Sequence, residues 1–201
     1  MLTNLTFIKD HRGFQKGFRI EFKPGINLLV GDQGTGKSTL LQQLAQFGKL
    51  KNAPSGDCAV VVLASKPVPV GYFDFEKHNP RIQPGFGMGY GYDTATQVQS
   101  MFQSHGEFVR DWTAVIGRHK GSGLYLLDEP DAALCPRSAY TMARAFKAAE
   151  TEGAQIVAAV HNPILIESET EVFSTEHRKW VPSKVFMELM RTTTPPAPRA
   201  R

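Results

Sequence analysis

Residues suited to chemistry on a phosphate fall in three places along the chain. The first is Gly31-Asp32-Gln33-Gly34-Thr35-Gly36-Lys37-Ser38-Thr39, a glycine-rich stretch closed by a lysine and two hydroxyls. The glycines let backbone N–H groups curl around phosphate oxygens, and a following helix N-terminus adds partial positive charge. Lys37 can reach β- and γ-phosphates, and the Ser38 hydroxyl is suited to Mg²⁺. The second place is Asp128-Glu129-Pro130. There, one acid can hold Mg²⁺ and the next can polarise an attacking water as a general base. The third is His161, a lone histidine whose ordinary reading is structural and whose position argues for function.

Elements that would position these residues are legible around them. Ile26 to Val30 is an apolar run that predicts a buried strand leading into Gly31. Leu40, Leu41, Leu44 and Phe47 share one helical face after Lys37, with Gly48 as the stop. Strand, glycine loop, lysine, hydroxyl and helix in that order make a P-loop, or Walker A motif, and predict a nucleoside triphosphate site. A chance glycine turn would lack that context. Leu124 to Leu127 predicts a strand delivering Asp128 and Glu129 to its C-terminal end, where open α/β sheets keep their ligands. Successive strand residues face opposite ways, so the turn after Leu127 must bring both carboxylates toward the phosphates. A plain helix-capping role fits Asp131 better than this pair. Ala154 to Val160 predicts another buried strand, which ends at His161 on the same sheet edge.

Elsewhere, residues 3–9, 17–22, 58–64 and a run from Val70 read as strands. The turn at 10–16 could stack His11 or Phe14 on a base, but simple turn residues are the favoured reading. Residues 84–92 alternate glycine with large apolar side chains and read as a lid or surface loop, not a dinucleotide fingerprint. One helix carrying Val98, Met101 and Phe102 breaks at Ser104-His105-Gly106-Glu107, and a second carries Phe108, Trp112, Val115 and Ile116. Gly117 to Gly123 is a basic loop, more often solvated than functional. A helix opens at Pro136, with Ala139, Met142, Ala143 and Phe146 as its buried stripe and Gly153 as its end. Short strands near Val172 and Trp180 and a helix from Pro182 to Met190 complete the chain, and 192–201 reads as a disordered tail.

Composition sets the bounds. A length of 201 residues fits one domain, or one domain with a small subdomain. The net charge of +4 permits anionic partners without arguing for them. The two cysteines, Cys58 and Cys135, have no metal-ligand spacing and read as free thiols. The N-terminus lacks a signal-peptide pattern, and no apolar run approaches the roughly 18–20 residues needed to cross a bilayer, so a cytoplasmic protein is expected.

Taken together, Gly31 to Ser38, Ser104 to Glu107, Asp128-Glu129-Pro130 and His161 resemble the motif set of ABC-type ATPases. The likeness is greatest to their soluble, non-transporter branch, distantly similar to RecF- and SMC-type heads, and it covers about residues 1–191. It implies an α/β P-loop NTPase with a mostly parallel core sheet flanked by helices, N-terminal antiparallel strands and a small helical subdomain at about 77–117. The resemblance also implies an ATP-dependent head-to-tail homodimer. In it Ser104, Gly106 and Glu107 of one head contact ATP held by the other, and His161 bonds the γ-phosphate. Ser104 and Glu107 also fit a simple capping box. Three departures stand out: His105 replaces the first glycine of the signature, Glu76 is the nearest candidate for a missing glutamine that bridges Mg²⁺ and water, and Cys135 stands where relatives often carry aspartate. The expected function is an ATPase, with ATP and Mg²⁺, that switches a macromolecular partner, either nucleic acid or protein, in DNA repair, replication or mobile-element biology. A transporter's nucleotide-binding subunit and a non-catalytic nucleotide-dependent module are the competing readings.

Overall fold

The computed structural model describes residues 1–47, 59–64, 70–74, 123–132 and 134–192. Glu76, Ser104, Gly106, Glu107, the helical stretch at 77–117, the loop at 84–92, Cys58, Gly48 and residues 193–201 lie outside the described residues.

Two sheets organise the described chain. A three-stranded antiparallel sheet has the order β2-β1-β4, formed by Leu2–Phe7 (β1), Arg19–Glu21 (β2) and Val60–Ala64 (β4). The larger sheet has the order β5-β6-β7-β3-β8-β9. It comprises Ile26–Val30 (β3), Val70–Asp74 (β5), Leu124–Asp128 (β6), Gln155–Ala159 (β7), Glu171–Ser174 (β8) and Lys179–Pro182 (β9). Every pairing in it is parallel except the β8–β9 hairpin. Helices are Lys37–Phe47 (α1), Pro136–Thr151 (α2), Pro163–Glu167 (α3) and Ser183–Thr192 (α4).

Strand alternation divides the core between the sheet's two faces. Leu28, Val30, Leu127, Ile156 and Ala158 pack with Met142, Phe146, Leu165 and Phe186 of α2, α3 and α4. Leu29, Leu126, Val157 and Ala159 pack on the other face with Leu40, Leu41 and Leu44 of α1 and with Leu5, Phe7 and Ile20 of the small sheet. Leu40, Leu41 and Leu44 of the predicted α1 stripe and the predicted α2 stripe therefore meet the core, with Ala143 only partly buried and Ala149 added; the Phe47 side chain lies outside the description.

Buried amides join the layers, as groups removed from water must be bonded. Gln155 accepts the Leu2 N–H (2.7 Å) and donates to the carbonyls of Leu2 (2.9 Å) and Lys23 (2.8 Å), tying β1 to β7. Gln43 of α1 accepts the Ala59 N–H at 2.6 Å.

Several readings need correction. The strand expected at 58–64 is described from Val60 and is buried on one face only, with Val61 and Leu63 exposed, because β4 pairs with β1 rather than entering the large sheet. Pro182 closes β9 instead of opening the last helix; it sits on an edge strand, where a missing N–H costs no ladder bond. That helix runs on through Thr192, which was assigned to the tail; its hydroxyl bonds back to Glu188 and Leu189 carbonyls. Pro163 to Glu167, assigned no element from sequence, is a short helix capped by Asn162, whose side chain accepts the Ile164 N–H.

Candidate active site

Parallel strands place the chemistry. β3 runs into the glycine loop, β6 ends in Asp128, β7 leads to His161 and β8 leads to Thr175, all at C-terminal strand ends on one edge of the sheet.

The glycine loop closes on its own lysine. Lys37 begins α1, is only 5% exposed, and donates from Nζ to the carbonyls of Gly31 (2.8 Å) and Asp32 (2.9 Å). Burial lowers the Lys37 pKa from its ordinary value, with Glu129, Asp128, Asp32 and Glu176 pulling the other way. No acidic side chain occupies the first turn of α1, so its N-terminal dipole is free to favour an anion. Gly36, at φ +103°, has no room for a side chain: a Cβ there would lie 2.6 Å from the Phe14 ring. Gly36→Ala is accordingly expected to destabilise the fold by about 1–3 kcal/mol and to weaken nucleotide binding, read by thermal unfolding with and without Mg-ATP.

Phe14 is not a base platform. It is 3% exposed, stacks on Phe7 at 4.8 Å and fills the space beneath Gly36. His11, partly exposed, has its Nε2 3.3 Å from the Gln43 amide nitrogen.

Asp128 follows Leu124 and Leu126 on the face that α1 covers, so its carboxylate meets the start of that helix. Ser38 Oγ donates to Asp128 Oδ1 at 3.0 Å. Two hard oxygens so placed fit a small divalent cation such as Mg²⁺, which would take its remaining ligands from phosphate and water. Among the described residues no cluster of three or more His, Cys, Asp or Glu offers a dedicated metal cage.

Glu129 turns the corner that strand alternation would forbid. Its φ is +53°, its N–H donates to Ala159 O at 3.1 Å, and its carboxylate lies 3.4 Å from His161 Nε2. A left-handed conformation at a non-glycine residue costs of order 1 kcal/mol and is held here by the backbone bond to β7. A cleft of ≈ 450 Å³ is lined by Gln33, Gly34, Gly36, Lys37, Ser38, Thr39, Glu129 and Arg12. His161 lines the neighbouring cavity with Glu129, Asp131 and Asn162. Gly31 and Asp32 face a third cavity behind the loop, and the Thr35 hydroxyl is engaged with Asp32 O and Thr175.

Asp131 does not cap α2. That helix starts after Cys135, an exposed free thiol, without a side-chain cap. The Asp131 carboxylate instead accepts the N–H groups of His161 (2.7 Å) and Asn162 (2.5 Å). Its burial raises its pKa, with those two bonds opposing the shift.

Residues matching the AAA-domain family span 7–169. The chain belongs to that family. No curated protein matches the sequence. Among solved structures, this AAA domain is similar to a nucleotide-free ATP-binding cassette from an ABC transporter, with TM-score 0.57 and 14% identity over 95% of this chain and 96% of that one. It is also similar to an ATP-binding cassette of an ABC transporter in its ADP conformation, with TM-score 0.54 and 14% identity over 96% of each chain. At such identity the likeness shows the fold, an α/β P-loop NTPase of ABC type with a mostly parallel core sheet and antiparallel N-terminal strands.

Sequence reasoning missed two features of the AAA domain's site. Arg12, at φ +43°, lines the phosphate cleft and bonds Gln42 at 3.3 Å. The turn after β8 braces the glycine loop, with Thr175 Oγ1 2.6 Å from Thr35 Oγ1 and Glu176 accepting the Asp32 N–H at 3.1 Å, and its Arg178 donates to Gly13 O, in the turn that carries Arg12, at 2.5 Å. Neither carries a motif; each is brought to the loop by long-range folding alone.

Proposed function

We propose that this AAA domain binds and hydrolyses ATP with Mg²⁺, and that ATP-driven head-to-tail dimerisation switches a macromolecular partner in the cytoplasm. The observation that carries the reading is the Ser38–Asp128 contact at 3.0 Å, beside a cleft lined by Lys37 and Glu129. A nucleotide-binding site alone needs the loop and lysine. Asp128 serves Mg-nucleotide binding as well; the second acid lining the same cleft, Glu129, is what argues for hydrolysis.

Mg²⁺ held by Ser38 and Asp128 would neutralise charge on the β- and γ-phosphates. Lys37, exchanging its loop carbonyls for phosphate oxygens, would orient the γ-phosphate together with the α1 N-terminus. Glu129 would take a proton from water as the water oxygen bonds to the γ-phosphorus and the bond to the β–γ bridging oxygen breaks, releasing ADP and phosphate. His161, on the far side of Glu129, would bond a γ-phosphate oxygen. In a dimer, Ser104, Gly106 and Glu107 of the second copy would complete the site, and Glu76 would bridge Mg²⁺ and water. The domain would span residues 1–191, with about 77–117 as its helical subdomain.

Nucleic acid is the first candidate partner, by analogy with soluble relatives of this type. The second reading, a transporter's nucleotide-binding subunit, is favoured by the cassettes the fold matches. No helix among the described residues is long and apolar enough to cross a membrane. The deciding measurement is ATP hydrolysis against protein concentration, with and without single- and double-stranded DNA, using Lys37→Ala as the blank. A rate rising more than linearly with protein and stimulated by DNA supports the switch. A linear, DNA-indifferent rate overturns the DNA-coupled dimer, and co-purification with a membrane protein would then favour the transporter reading.

A further inference from the structure

Asp131 is one of the few buried carboxylates in the described chain, and what it holds is specific. Its residue is 6% exposed; Oδ2 accepts the two amides at the exit of β7, those of His161 and Asn162. Oδ1 is buried with no hydrogen-bond partner among the described residues. Removing a carboxylate from water is costly unless it gains strong bonds, and both of its gains are on one short turn.

Local architecture does not require them. α3 has its own cap, the Asn162 side chain on the Ile164 N–H at 3.0 Å, and a proline at its first position. The His161 amide lies outside that helix altogether. On the other side, the turn carrying Asp131 is the turn carrying Glu129, closed by Ala132 N–H to Glu129 O at 3.1 Å and anchored by Glu129 N–H to Ala159 O. Glu129 and His161 thus stand 3.4 Å apart on two turns that Asp131 joins from below.

We propose that Asp131 is a positioning residue for hydrolysis: it fixes the His161 turn against the Glu129 turn, so that imidazole and carboxylate address one γ-phosphate together. The inference rests on the reading of Glu129 and His161 as hydrolytic groups. Asp131 acts through His161, whose backbone N–H it holds.

The test compares Asp131→Ala, Asp131→Asn, His161→Ala and the Asp131→Asn/His161→Ala double variant in the full chain. Asp131→Ala, which removes both bonds, is expected to lower kcat about tenfold to a hundredfold with KM for Mg-ATP changed less than about twofold. Asp131→Asn keeps one acceptor oxygen and gives a smaller loss, which secures the comparison if the alanine variant fails to fold. In the His161→Ala background, Asp131→Asn should cost nothing more. Ring NMR signals of His161 should shift or broaden in Asp131→Asn while those of His11 and His177 stay in place. A folded Asp131→Asn protein with an unmoved His161 signal and wild-type kcat overturns the proposal, as does a loss that simply adds to that of His161→Ala. If His161→Ala and Glu129→Gln both hydrolyse ATP normally, the hydrolytic reading itself has failed and takes this inference with it; that pattern is distinct from an inert Asp131 beside two inactive variants.

Discussion

Glu129→Gln is expected to lower kcat for ATP hydrolysis by about 10²–10⁴-fold while leaving the affinity for Mg-ATP within a few-fold of wild type. The glutamine is isosteric, so the left-handed turn at φ +53° and its N–H bond to Ala159 O are retained. What disappears is the proposed role of the carboxylate, accepting a proton from a water near the γ-phosphate. Lys37, Ser38 and Asp128, the groups that would hold the nucleotide, are untouched. Because product release would no longer reopen the site, the variant should also accumulate as a dimer in saturating Mg-ATP, read by light scattering. A variant that turns over within tenfold of wild type would place the base elsewhere. One that is inactive yet strictly monomeric would keep the chemistry and discard the head-to-tail dimer.

How much of this was legible in sequence follows from which contacts are local. The glycine loop with its strand and helix occupies one continuous stretch, and every element in it forms where the periodicity places it. Asp128 was equally readable, because a five-residue apolar strand can end in an acid at only one edge. Its bond to Ser38 spans ninety positions and still follows from strand parity, since Leu126 and Asp128 share the face beneath α1. Asp131 was misread for the opposite reason. An aspartate a few residues before a helix has the local signature of a cap, and only the parallel pairing of β6 with β7 brings the His161 amide closer than the amides of α2. Phe14 shows the same limit: an aromatic in a turn beside a phosphate loop leaves a stacking role open beside the favoured plain-turn reading, and only packing turns it inward under Gly36.

Lys37→Met should weaken Mg-ATP binding about tenfold to a hundredfold, as expected for losing charge-assisted bonds to phosphate, and cut turnover by a further 10²–10³-fold, about what one preorganised donor to the transferred group contributes. Its pH behaviour separates this role from a structural one. Burial makes the folded, nucleotide-free protein bind the Lys37 proton less tightly than the unfolded chain does. Between the lowered folded pKa and 10.5 the unfolded state therefore holds more protons, and the contribution of Lys37 to stability rises with pH. Nucleotide affinity must run the other way. A triphosphate needs the ammonium form, so above the lowered pKa binding takes up a proton and weakens as pH rises. Mg-ATP dissociation constants and thermal unfolding measured from about pH 7 to pH 10 should thus diverge for the wild-type protein, with the apo form gaining relative stability while affinity falls. In Lys37→Met both trends attributable to this residue vanish, and the pH dependence that remains belongs to other groups. An affinity that falls equally steeply in the methionine variant would mean that the lysine keeps its loop carbonyls, Gly31 O and Asp32 O, when nucleotide is bound, and that the α1 N-terminus holds the phosphates without it.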